Sequence, residues 1–181
     1  MSGGQQMDQK ETCADESCGV GLFWKYLQVF CTVLYKFVRN MNYARYQAEL
    51  SVLSSKLSSS WYNFDGIGTA TPSLRMAART NGGNLYTLYF DLSQFPMSIP
   101  KVFVTKMLKT KNGTEMRGCS ASMHTLSSEH GWTRICHYGH DAWTPNVSLY
   151  KVYIKCRLWL EMYEAHLRTG HEIDYYLNHQ A

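Results

Sequence analysis

Asn81-Gly82-Gly83 stands between two strand-like runs, 74–79 and 85–92, and no other stretch constrains the fold of this chain as tightly. A short Asn-Gly-Gly link supplies the positive backbone angles that a tight hairpin turn demands, so the two runs are expected to pair antiparallel. Phe95-Pro96 and Pro100 punctuate the next stretch, 102–107 reads as a third strand, and Lys111-Asn112-Gly113 turns again. Helical periodicity lies outside this block. Tyr43, Tyr46, Leu50, Leu53 and Leu57 recur at steps of three and four, and the stripe ends in Ser58-Ser59-Ser60. A long stripe comes after Ser148: Leu149, Val152, Cys156, Trp159, Tyr163 and Leu167, with Gly170 as its C-cap. Strands grouped between helices define an α+β fold and exclude a parallel doubly wound sheet.

The 181 residues suit one domain, divided into a polar flexible tail at 1–18, an amphipathic helical extension at 19–40 and a core at 41–181. With 45% hydrophobic and 18% charged residues, a buried core is available and general disorder is excluded. Eighteen Lys and Arg against fourteen Asp and Glu give a net charge of +4, too weak for a protein that lives on phosphate contacts, so no nucleic-acid partner is expected. In the extension, Phe23, Leu27, Phe30, Leu34, Phe37 and Met41 form one helical stripe. Its uncharged run between Lys25 and Lys36 is ten residues, short of the ~20 needed to span a bilayer. Packing on the core, docking on a partner and peripheral membrane contact stay open for it. The six cysteines have no dense rhythm, and Asp8, Glu11, Asp15 and Glu16 give the start of the chain the wrong charge for a secretory leader. The expected compartment is the reducing cytoplasm.

Residues 117–147 show no period and read as a long functional loop. Two Cys and four His fall within it: Cys119, His124, His130, Cys136, His137 and His140. Three chemistries suit such a set. Zinc takes Cys and His, although no Cys-x2-Cys pair is present. A nucleophilic cysteine with its base is the second: His137 comes directly after Cys136, and Asp141 is near enough in sequence to orient an imidazole.

The third rests on a resemblance. Phe95-Pro96-x-x-x-Pro100-Lys101-Val102 resembles the proline-punctuated third strand of ubiquitin-conjugating enzymes. The family continues with a His-Pro-Asn element, a Gly-x-Ile-Cys segment that holds the thioester cysteine, and a Trp-Ser-Pro element that opens a helix. This chain has Met123-His124-Thr125-Leu126, then Gly131-Trp132-Thr133-Arg134-Ile135-Cys136, then Trp143-Thr144-Pro145, in the same order. The likeness extends over about residues 41–170 and is closest to the bacterial branch of the family, which is associated with antiphage operons. It implies a conjugating-enzyme core with an added N-terminal helix and a cytoplasmic, cofactor-free and metal-free transferase. Its implied partners are a ubiquitin-like protein, an ATP-dependent activating enzyme and a protein substrate.

On that resemblance Cys136 is the thioester nucleophile and His124 organises the loop. The family's Asn position is Leu126, which has no side-chain donor for an oxyanion, so either His137, His140 or Asn146 supplies one or transfer to a lysine is slow or assisted. A nearby imidazolium at His137 or His140 would favour the Cys136 thiolate, and Asp141 is the candidate to steer an incoming lysine. Two alternatives stand beside this reading: a non-catalytic binding module of the same fold, and a zinc-binding domain built from the 119–140 cluster. Lys101, Lys106, Lys109, Lys111 and Arg117, opposed only by Glu115, form either a solvated basic face or a surface for an acidic protein.

Overall fold

The computed structural model describes residues 43–178. The tail at 1–18 and the extension at 19–40 lie outside the described residues. Helix α1 (Tyr43–Ser54) leads through a 3-10 turn (Ser59–Trp61) into strands β1 (Tyr62–Asp65), β2 (Ser73–Arg79), β3 (Leu85–Asp91) and β4 (Lys101–Val104). Next come strands β5 (Thr125–Glu129) and β6 (Trp132–Ile135), a 3-10 turn (His140–Ala142), and helices α2 (Leu149–Thr169) and α3 (Ile173–Asn178). The strands form one antiparallel sheet in the order β1-β2-β3-β4-β6-β5. The molecule is α+β with its strands grouped between helices.

Alternation sets the faces of the sheet. Leu74, Met76 and Ala78 of β2 and Tyr86, Leu88 and Phe90 of β3 are buried, while Arg75, Arg79, Leu85 and Thr87 face out. One residue's slip would expose the whole buried set, so the Arg79↔Leu85 closure of the hairpin is tightly specified. Helix α2 contributes Leu149, Val152, Tyr153, Cys156, Trp159, Leu160 and Tyr163 to the same core. Its ends are capped as its sequence suggests: Ser148 Oγ accepts the Lys151 N–H, and Gly170, at φ +87°, donates to His166 O. Buried Glu164 accepts the hydroxyl of Thr80 at 2.7 Å and the amide of Asn84 at 3.0 Å, which fastens the β2–β3 turn to α2. Among the described residues no helix is long and apolar enough to cross a membrane.

Four sequence expectations change. Residues 117–147 are not one irregular loop: they contain the β5–β6 hairpin, closed by His130 and Gly131 at φ +56° and +73°, a two-residue turn of primed type. The strand expected over 102–107 ends at Val104, because the Lys106 N–H turns back to Val104 O. A fourth meander strand, β1, occupies part of the loop expected over 63–72, with Tyr62 and Phe64 half buried. Helix α1 stops at Ser54, and Leu57 joins only through a turn onto Leu53 O.

Candidate active site

Cys136 lies just past the last residue of β6, and its N–H continues the ladder by donating to His124 O at 2.9 Å. His124 holds a left-handed backbone angle, φ +48°, at the corner where the chain enters β5. That corner is anchored from below. The Trp159 indole of α2 donates to Met123 O at 3.1 Å, the Asp174 N–H of α3 donates to Ser122 O, and His124 Nε2 lies 3.3 Å from Asp174 Oδ1. His124 therefore touches Cys136 through its backbone, while its ring engages α3.

The half-buried Cys136 lines a cavity of about 780 Å³ together with Met97, Leu126, Arg134, His137 and Trp143. Trp143 is fixed by its indole donating to Pro96 O at 3.1 Å and by edge contacts with Phe95 and Tyr138. A pair on α1, part-exposed Arg45 and buried Glu49, holds the chain just beyond it. Arg45 donates to Pro145 O at 2.6 Å, to Val147 O at 2.8 Å and to Glu49, and its guanidinium lies 4.8 Å from the Phe95 ring centre. Glu49 Oε2 accepts the N–H of Leu149, the first residue of α2, at 2.8 Å. Burial raises the Glu49 carboxyl above the usual carboxylate range, against the pull of Leu149 and Arg45.

The structure separates the cysteine–histidine set. Cys136, His137 and His140 share the cavity. Cys119 is exposed and paired with Ser127, whose hydrogen bonds lower its thiol pKa, and His130 sits at the hairpin turn against Trp132. Asp141 and Asn146 are exposed and do not line the cavity. Among the described residues no three His, Cys, Asp or Glu side chains converge to hold a metal ion, so the zinc alternative has no ligand set there. Cys156 is fully buried and its thiol is pushed up by desolvation, which makes it a core residue. The basic cluster is partly neutralised: Lys101 pairs with Glu129 at 2.9 Å, Arg117 with Glu115, and Lys111 donates to Arg168 O.

His137 departs from the expectation placed on it. Its Nδ1 lies 3.3 Å from Ile135 O, which can only accept, so Nδ1 carries the proton and Nε2 is a lone-pair acceptor. Part of the residue reaches the surface, but Nε2 is enclosed, and desolvation holds the imidazole down at about 4 with Lys155 and Arg134 adding to the effect. Near neutral pH His137 is uncharged. It neither favours a Cys136 thiolate as an imidazolium nor donates to an oxyanion through Nε2. The linkage has a definite sign: the pKa falls from 6.5 to about 4 on folding, so this stabilisation is complete above 6.5 and is lost as pH drops through about 4. The urea midpoint of the native protein should therefore fall between pH 6.5 and 4 by more than that of His137→Phe. Parallel pH curves for the two proteins would contradict it.

Sequence reasoning missed Arg134, Arg45 and Glu49. Arg134 had one readable signal: two positions before Cys136 on a strand, it shares that residue's face. The Arg45–Glu49 contacts span about a hundred residues, and no local pattern announces them. Comparisons with protein families, with curated proteins and with solved structures find no match for this chain.

Proposed function

We propose that the protein carries a ubiquitin-like protein as a thioester on Cys136 and passes it to an amine. The observation that carries this reading is the position of Cys136: just past the end of a sheet strand, amide-anchored to His124, on the wall of a cavity of about 780 Å³. Cys119 lies outside that cavity and Cys156 is sealed in the core. The resemblance of the 95–149 segment to ubiquitin-conjugating enzymes supports the same reading, as does the order of helix, antiparallel meander, cysteine segment and C-terminal helix.

In the loading step the Cys136 thiolate attacks the thioester carbonyl presented by an activating enzyme, and that enzyme's thiolate leaves. ATP is consumed by the activating enzyme, not by this chain. In the transfer step an amine attacks the carbonyl on Cys136 and the Cys136 sulfur leaves. The reading that Leu126 favours instead is a binding module of the same fold with no competent transfer, since leucine offers no oxyanion donor. Cys136→Ser separates the two. Its adduct with the modifier should be an oxygen ester, stable to thiol reductant and cleaved by mild alkali, where the native adduct is thiol-labile. A Cys136→Ser adduct that thiols still cleave would place the acyl group on another cysteine, and absence of any adduct on the native protein would favour the binding module.

A further inference from the structure

Ser120 and Thr125 exchange backbone hydrogen bonds at 3.1 and 3.0 Å, so residues 121–124 form a tight turn ahead of β5. Its last residue, His124, takes a left-handed angle, φ +48°. Glycine and asparagine adopt that angle most readily, and a larger residue keeps it where its surroundings hold it. The ring of His124 is what neither of those residues would supply, and it meets α3: Nε2 lies 3.3 Å from Asp174 Oδ1.

Asp174 grips the turn from two sides. Its carboxylate faces the His124 ring, and its N–H donates to Ser122 O at 2.9 Å. Ile173, one residue earlier, is wholly buried in the core, so the gripping residue sits beside the anchor of its own helix. At the far side of the turn, His124 O accepts the Cys136 N–H at 2.9 Å. A continuous path therefore runs from α3 through His124 to the backbone of the cysteine.

The grip acts locally. The side chains of His124 and Asp174 are 30% and 50% exposed, and a contact this open to water adds little to global stability. What it fixes is the place of the ring, and with it the peptide whose carbonyl holds Cys136. Trp159 supports the neighbouring carbonyl of Met123 from a buried position, so its loss disturbs core and turn together. Loss of the Asp174 carboxylate leaves the core alone.

We propose that α3 is a latch on the Cys136 segment, with Asp174 a positioning residue that acts through the His124 ring. Its chemical purpose rests on the thioester reading above, since a sulfur that must meet an incoming carbonyl gains from a fixed backbone. The latch itself is a matter of geometry and is tested without an acyl group.

Amide hydrogen exchange of the full-length protein, read at Cys136 and at the amides of β3, compares the native chain with Asp174→Ala and Asp174→Asn. Asp174→Ala keeps the N–H to Ser122 O and takes the carboxylate from the ring. Exchange at Cys136 should then quicken about three- to tenfold relative to β3, the factor that one hydrogen bond sets. Asp174→Asn keeps an oxygen for the ring and should stay within about twofold of the native rate. In a His124→Asn background, which suits the left-handed angle but lacks the ring, Asp174→Ala should add less than about twofold. Equal acceleration at Cys136 and β3, an unchanged Cys136 rate in Asp174→Ala, or full additivity with His124→Asn would overturn the latch. Those outcomes leave the thioester assignment untouched, and absence of a thioester adduct on the native protein would remove that assignment without altering the exchange rates.

Discussion

Glu49→Ala is expected to destabilise the protein by about 1–3 kcal/mol, the range for leaving a buried donor without its acceptor. Glu49 is 2% exposed and serves two clients: the Arg45 guanidinium through Oε1 and the Leu149 N–H through Oε2. Leu149 opens α2, so its N–H is one of the amides that a helix cannot satisfy internally, and a carboxylate there also meets the positive end of the helix dipole. Alanine removes both interactions and strips Arg45 of its carboxylate while leaving it against Phe95, Pro145 and Val147. Glu49→Gln keeps the shape and one acceptor, and should cost about 1–2 kcal/mol. Urea unfolding measures both. An Ala variant with the native midpoint would mean that α1 does not hold the start of α2.

Trp159→Ala is the second large effect, at about 3–5 kcal/mol for a buried tryptophan. The ring is 2% exposed, stacks on Tyr163 at 5.6 Å between centroids, and donates to Met123 O. The loss reaches the site by a short route. Met123 precedes His124, and His124 O holds the Cys136 N–H. Trp159→Phe keeps a ring on Tyr163 but leaves Met123 O without its donor. Amide hydrogen exchange at Cys136 should therefore quicken in both variants, and further in Ala than in Phe. Loss of stability with unchanged exchange at Cys136 would confine Trp159 to the core.

How much the sequence discloses depends on how local each signal is. The β2–β3 hairpin is legible because its turn chemistry and its alternation agree, and α2 because Ser148, Gly170 and the apolar stripe between them agree. The β5–β6 hairpin is hidden for the opposite reason. Its turn gives one left-handed position to His130 instead of Asn or Gly, and β5 carries Ser127 and Ser128 across a register shift between Leu126 and Glu129. Within the site, Cys136 is readable as a thiol on a chemistry-rich segment. His137 misleads, because adjacency suggests a charged neighbour while burial decides its protonation. His124 engages Asp174, fifty residues on, a contact that belongs to the packing of α3 and not to any motif.

The most direct test of the Cys136 assignment is the intact mass of the protein after incubation with ATP and soluble extract of its own source cells, beside Cys136→Ala and Cys119→Ala. The native protein and Cys119→Ala should gain a protein-sized adduct that requires ATP, disappears with thiol reductant and maps to Cys136, and Cys136→Ala should gain none. An adduct retained in Cys136→Ala, or none on the native protein when an activating enzyme is demonstrably present, would contradict the assignment of Cys136 as an acyl carrier.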